Sequence, residues 1–250
     1  MPKFLFDKRV MVNHVPARKS DLLRYEKKYP LTEPCSVELE ARLRKILPFD
    51  KHGDENGNYS VRSVYFEDWY DTAVMEKLNG YNDRSKYRIR LYNGDTSFIC
   101  LERKRRISGM SRKTSARITE EQCMDLLNGN LEWMFDKERQ PGKDTDFFAE
   151  AYSLFKSGYH PKTIVEYTRQ AFICPAGNVR ITIDKEIFYS TDLLSLLDKT
   201  ISGIPLPLDC WAIFEVKYNK FLPLYIQDAI QTGCLSQQSY SKYVSGRVYG

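Results

Sequence analysis

The 250-residue sequence predicts an α+β fold, an eight-stranded antiparallel β-barrel with flanking helices, on three observations. Eight segments alternate polar and apolar residues with the two-residue period of a strand. Segments with helical spacing fill the gaps between them. In strand after strand the polar face carries long ionic side chains in succession, carboxylates among them, where a face in water usually mixes Thr, Ser, Gln and Lys.

The strands are expected near residues 22–30, 59–67, 84–93, 96–105, 110–118, 162–173, 178–189 and 210–218. Tyr92-Asn93-Gly94-Asp95 joins the third to the fourth as a hairpin, because Asn-Gly accepts the positive φ angles of a type I′ turn. Helices are expected at 36–47, where Val37, Leu39, Leu43, Ile46 and Leu47 are apolar, and at 71–79, 119–127, 144–157 and 222–232. Thr119-Glu120-Glu121-Gln122 offers a capping box at the third helix. Residues 51–58 read as an exposed turn and 128–143 as a loop or linker. Barrels often reach this length as one domain, so residues 21–250 are expected to form a single domain behind an N-terminal extension, 1–20.

With 42% hydrophobic and 28% charged residues the chain has the balance of a globular protein. Its net charge of +5 and pI near 8.7 fall short of a dedicated duplex-DNA binder. Cys35, Cys100, Cys123, Cys174, Cys210 and Cys234 contain no C-x-x-C pair, and His14, His52 and His160 lie far apart. Neither a disulfide framework nor a zinc site is therefore expected. Met1–Val12 lacks the apolar stretch of a signal peptide, and no segment approaches the roughly 20 apolar residues of a membrane span. The cytoplasm is the expected location.

Which face is charged decides the next step. Lys86, Arg88, Arg90 and Tyr92 share one side of the third strand, and Tyr87, Ile89 and Leu91 the other. Glu102 and Lys104 oppose Ile99 and Leu101; Arg180, Thr182 and Asp184 oppose Val179, Ile181 and Ile183; Glu215 and Lys217 oppose Phe214 and Val216. The first strand places Arg24, Glu26 and Lys28 together. Eight strands suffice to close a barrel. If the apolar faces pack outward against helices, the charged faces line a tunnel. Lys28, Lys86, Arg88, Arg90, Lys104, Lys113, Arg169, Arg180 and Lys217 then meet Glu26, Glu102, Asp184 and Glu215, a clear excess of positive charge. Like charges a few Å apart repel by roughly 4 kcal/mol per pair at an effective dielectric of about 20. Such a tunnel needs water and favours a polyanion.

The motifs Tyr25-Glu26-Lys27-Lys28-Tyr29, Ser63-Val64-Tyr65-Phe66-Glu67-Asp68, Lys86-Tyr87-Arg88-Ile89-Arg90 and Leu101-Glu102-Arg103-Lys104-Arg105 occur in this order. Tyr167-Thr168-Arg169, Arg180-Ile181-Thr182-Ile183-Asp184, Phe214-Glu215-Val216-Lys217-Tyr218 and Ser241-Lys242-Tyr243 follow. Together they resemble the vacuolar transporter chaperone (VTC) domain, within the triphosphate tunnel metalloenzymes, over roughly residues 20–245. The resemblance implies an eight-stranded tunnel barrel and, for the polymerase branch, transfer of the ATP γ-phosphate to a growing inorganic polyphosphate. It implies that Lys28, Lys86, Arg88, Arg90, Lys104, Lys113, Arg169, Arg180, Lys217, Ser241 and Lys242 bind the substrate. Glu215 is implied to bind a metal, Mn²⁺ or Mg²⁺, with Glu26 and Glu102 as further ligands. The cyclase and thiamine-triphosphatase branch opens with Glu-x-Glu-x-Lys; Arg24 stands at the first acidic position here, which favours the polymerase branch. The resemblance also leaves room for a membrane-protein partner, while nothing in the pattern sets an oligomeric state.

The side chains suit that chemistry. Guanidinium forks meet two phosphate oxygens at once, ammonium groups act as point charges, and a carboxylate is a hard oxygen ligand. A tripolyphosphatase or nucleoside triphosphatase on the same barrel is the nearest alternative. A non-catalytic phosphate- or RNA-binding module is another, which Tyr65, Tyr87 and Tyr92 suggest and the carboxylates oppose. Arg103, Arg105 and Arg106 read as a solvated basic stretch, Tyr87, Trp211 and Phe214 as core, and Tyr65 and Tyr243 are left undecided.

Overall fold

The computed structural model describes residues 24–136 and 145–248. The expected extension 1–20, the first two residues of the first strand, residues 137–143 of the long loop and residue 144 lie outside them. The order of elements is β1 (Tyr25–Leu31), α1 (Glu33–Ile46), β2 (Asn58–Glu67), α2 (Thr72–Leu78), β3 (Arg84–Tyr92), β4 (Ile99–Ile107), β5 (Met110–Ile118) and α3 (Glu120–Leu127). Then come α4 (Thr145–Lys156), β6 (His160–Cys174), β7 (Val179–Ser190), β8 (Ile204–Pro205), β9 (Ala212–Tyr218), α5 (Leu224–Ile230) and α6 (Lys242–Val248). All eight expected strands are present; the short β8 and helix α6 are additions.

The strands form one antiparallel sheet in the order β1-β9-β7-β6-β2-β3-β4-β5, with β8 on β7. The sheet curls until Arg24, just before β1, meets Ser111 of β5. Their backbones exchange two hydrogen bonds of 3.3 Å. Among the described residues this isolated bridge is all the backbone pairing at the seam, so the barrel is joined there without a full ladder.

Helices cover the outside because the outward residues are apolar. Tyr87, Ile89, Leu91 and Leu101 pack with Cys123 and Leu126 of α3 and Phe147, Phe148 and Phe155 of α4. Ile181, Ile183, Phe214 and Val216 pack with Leu39 and Leu43 of α1 and Ile226 of α5. The capping box forms as expected: Thr119 accepts from the Gln122 amide, and the Gln122 side chain accepts from the Thr119 amide at 2.9 Å.

Helix α6 is different, for it packs against the inner face. Tyr243 stacks on Tyr65 with ring centroids 4.5 Å apart. A Cβ on Gly246 would stand 3.0 Å from the Val165 side chain, so any larger residue there would have to push Val165 aside by a few tenths of an ångström. Glu67 fastens the arrangement, accepting from the Ala73 and Val74 amides at 2.9 and 3.1 Å and from the Tyr243 hydroxyl at 2.8 Å. It caps α2 and anchors α6 at once.

Three expectations need correction. Cys35 of α1 and Cys234, 199 residues apart, form a disulfide, because α1 and α5 pack side by side and bring the two together. Trp211 is 53% exposed, since it precedes the strand that faces the core. The β3–β4 connection is longer than a two-residue hairpin. Asn93 and Gly94 take positive φ of 53° and 63° and Asp95 donates to the Tyr92 carbonyl, but pairing with β3 resumes only at Cys100, opposite Arg90. Among the described residues no helix is long and apolar enough to cross a membrane.

Candidate active site

The two-residue period of the strands turns the ionic side chains inward, where they gather around four acids. Glu102 on β4 accepts from Arg88 on β3 at 2.8 and 2.7 Å and from Lys113 on β5 at 2.8 Å, with Arg90 at 4.0 Å. Asp184 on β7 takes the Arg169 fork at 2.6 and 2.8 Å and Lys242 of α6 at 2.6 Å. Glu26 on β1 and Glu215 on β9 both lie 3.5 Å from the Lys28 ammonium. Lys104 reaches Glu26 at 2.5 and 2.7 Å, and Lys217 reaches Glu215 at 2.8 Å.

Arg180 turns to Asp50 at 2.8 Å and to the Tyr59 hydroxyl at 2.6 Å. Ser241 is buried just before α6 and lines the same opening as Lys28, Lys86 and Lys104. Among the described residues Lys86 has no carboxylate partner; its ammonium sits 5.5 Å from the Tyr65 ring centroid and 6.0 Å from that of Tyr243. All the sequence-predicted site residues thus lie on one inner surface or at its mouth. Sequence reasoning missed three tyrosines whose hydroxyls meet these cations. Tyr65 meets Arg88 at 3.2 Å, Tyr167 meets Arg90 at 3.3 Å and Arg169 at 3.2 Å, and Tyr59 meets Arg180. The signal was available, since Tyr167 shares strand parity with Arg169 and Tyr65 with Ser63.

Burial opposes charge throughout the tunnel, and the pairing decides which groups keep it. The Glu102 carboxyl, though buried, is held far below its ordinary value by Arg88, Arg90 and Lys113. Asp184 is held down in the same way by Arg169 and Lys242, and Glu26 by Lys104. Burial wins at three lysines of the inner face: it brings Lys104 down to about 8 despite Glu26, Lys86 down to about 7, and lowers Lys217 despite Glu215. The buried Tyr65 hydroxyl is pulled the other way by Arg88, Lys86 and Arg90, to about 7.

The three expected metal ligands divide. Glu26 and Glu215 stand side by side around Lys28, whereas Glu102 lies with Arg88 and Lys113. Among the described residues no three His, Cys, Asp or Glu side chains converge. That suits Mg²⁺-like ions, which take one or two carboxylates and complete their shell with water and phosphate oxygens. The Thr182 hydroxyl, opposite Glu215 across β7–β9, is buried with no partner, one more oxygen at the same place. Glu26 and Glu215 therefore fit a hard divalent cation.

With this geometry in hand, comparisons place the chain. The family model described as the VTC domain matches residues 23–249. No curated protein matches the sequence. Among solved structures, a provisionally designated adenylate cyclase from Bacillus halodurans aligns with TM-score 0.51 at 13% identity, over 88% of this chain and 94% of that one. A provisionally designated adenylyl cyclase from Hippeastrum, described as having a dominant triphosphatase activity, aligns with TM-score 0.51 at 12% identity, over 91% and 95%. These likenesses concern the fold.

Proposed function

We propose that this chain, which belongs to the VTC domain family, is a metal-dependent polyphosphate polymerase that transfers the γ-phosphoryl group of ATP to inorganic polyphosphate and releases ADP. One observation carries the reading. Eight inward cations, Lys28, Arg88, Arg90, Lys104, Lys113, Arg169, Lys217 and Lys242, share four acids, which leaves donors directed at an anion between them.

Phosphoryl transfer spreads negative charge over the oxygens of the moving group, so positioning and counter-charge are most of what a protein supplies. Arg88, Arg90, Arg169 and Arg180 offer phosphate oxygens their charge and the guanidinium N–H groups that Glu102, Asp184 and Asp50 leave over; Lys28, Lys86, Lys104, Lys113, Lys217 and Lys242 act as point charges, and Ser241 offers a hydroxyl. A terminal oxygen of the acceptor chain forms the new bond to the γ-phosphorus, and the electron pair of the broken bond stays on the β-phosphate oxygen of ADP. The acceptor oxygen is already ionised and needs no base. Glu215 and Glu26 would hold Mn²⁺ or Mg²⁺, which would supply Lewis-acid charge to the phosphate oxygens. Glu102 orients Arg88 and Lys113. We take residues 21–250 as one domain, acting in the cytoplasm.

A triphosphatase on the same barrel is the second reading. Tyr65 favours it, because a hydroxyl drawn down to about 7 beside Arg88 is a proton acceptor for an attacking water. Product analysis after incubation with ATP and Mn²⁺ separates the two. Polymer with ADP supports the polymerase; orthophosphate matching ADP moves the assignment to the triphosphatase. Salt-sensitive RNA retention without turnover overturns both.

A further inference from the structure

The register of β3 against β4 changes character along its length. Deep in the barrel Arg88 stands opposite Glu102, an ion pair. One step outward Lys86 stands opposite Lys104, and one step further Arg84 stands opposite Arg106. Like charges directly opposite one another weaken a sheet, and here two such pairs follow in succession. Lys104 is relieved by Glu26 across the seam. Among the described residues Arg84 and Arg106 have no carboxylate within ion-pairing distance, and Arg84 donates to the Tyr81 carbonyl. Lys77 of α2 faces them and, among the described residues, is held by Ser239. Burial, and then repulsion from the neighbouring cations, lowers the pKa of both Lys77 and Arg84, with Glu76 opposing the shift at Arg84.

These three line the opening beside the β1–β5 seam, together with Lys28, Lys86 and Lys104. The neighbouring arginines behave otherwise. Arg103 and Arg105 turn outward and are neutralised by Glu150 and Asp83. The basic stretch is therefore split by strand parity: its outward members are paired and its mouth-facing member is not. Unpaired cations stacked across a sheet cost stability, and an anion lying along them removes that cost.

We propose that Lys77, Arg84 and Arg106 form an outer anion track that binds the phosphates of a linear polyphosphate extending beyond the barrel, so that the protein distinguishes long chains from short ones. This rests on the polyphosphate reading above and adds to it a subsite and a preference for length. Tripolyphosphate is held by the inner cations and does not need the track. A longer chain leaving by this opening meets Lys86 and then the track.

The test is binding, without nucleotide, metal or turnover. Dissociation constants for tripolyphosphate and for a long linear polyphosphate are measured by calorimetry at fixed ionic strength, for the parent and for Lys77→Gln/Arg84→Gln/Arg106→Gln. The expected result is a loss of about tenfold or more for the long chain, with tripolyphosphate unchanged within about twofold and a shallower salt dependence. Arg106→Gln alone shows a smaller loss of the same kind, and it decides the matter if the triple variant does not fold. No loss, or an equal loss for both ligands, overturns the track. Single-stranded RNA that binds as tightly as polyphosphate and suffers the same loss also overturns it. Length-dependent loss in a protein whose ATP turnover yields only orthophosphate supports the track and overturns the polymerase reading; a parent that binds neither phosphate overturns both.

Discussion

On the outer face of β3, Tyr87, Ile89 and Leu91 are buried against α3 and α4, where each apolar side chain removed from water adds to stability. On the inner face of the same strand Lys86, Arg88 and Arg90 are held among three other cations, Lys28, Lys104 and Lys113, and the carboxylate that pairs with them is Glu102. Burial of charge with incomplete pairing works against folding. The outer face thus supports the barrel and the inner face strains it in the absence of a ligand. Arg62, next door on β2, shows what a structural arginine looks like. It is turned outward and meets Glu166 and the carbonyls of Leu196 and Asp198, with little left for a ligand.

This contrast can be broken by substitution. The largest expected effect is at Glu215→Gln, which keeps shape and loses the anionic ligand: metal-dependent turnover should nearly vanish in a protein that still folds, with a lowered melting temperature because Lys28 and Lys217 lose a counter-charge. Equal activity of variant and parent at limiting Mn²⁺ removes Glu215 from the site. Arg88→Ala or Arg90→Ala should cost roughly 10² to 10³ in turnover, about 3–4 kcal/mol, by analogy with loss of one preorganised charge-stabilising group. Folding should be little affected, since repulsion is relieved as Glu102 loses a partner.

Ile89→Ala should do the reverse. A fully buried truncation lowers stability by roughly 2–5 kcal/mol, read from denaturant unfolding, while turnover per folded molecule changes little. If the arginine variants are fully active and Ile89→Ala is harmless, the two faces have been assigned the wrong way round.

The smallest effect is a pH dependence. Lys86, lowered to about 7, and Tyr65, also lowered to about 7, both carry fewer protons folded than unfolded between that pH and their ordinary values near 10. Stability therefore rises with pH across this window. The melting temperature of the ligand-free protein should climb from pH 7 to 9, and Lys86→Met should flatten the climb. Saturating tripolyphosphate should also flatten it, because a bound anion keeps Lys86 charged. A flat profile in the parent contradicts the strained inner face.

Much of this was legible before any coordinates. Parity alone placed Arg88 and Arg90 on one side and Ile89 on the other, and it placed Glu215 with Lys217 and Arg180 with Asp184. The capping box at Thr119 and the positive φ at Asn93 and Gly94 follow from short-range chemistry, which a sequence displays directly. Trp211 went astray because a large aromatic at a strand's edge carries no parity signal.

What the sequence determined by itself was local and periodic: which residues form strands, which face of each is ionic, and hence that a charged interior exists. The tertiary structure alone decided partnership. It set Lys242 on Asp184 from 58 residues away, Lys104 on Glu26 from 78, and Cys35 with Cys234 from 199. It joined Glu26, and not Glu102, to Glu215, and it gave Glu67 to the α2 amides and Tyr243. The physical reason is that such contacts depend on the curl of the sheet and on its register at the seam, which long-range packing sets and no stretch of neighbouring residues encodes.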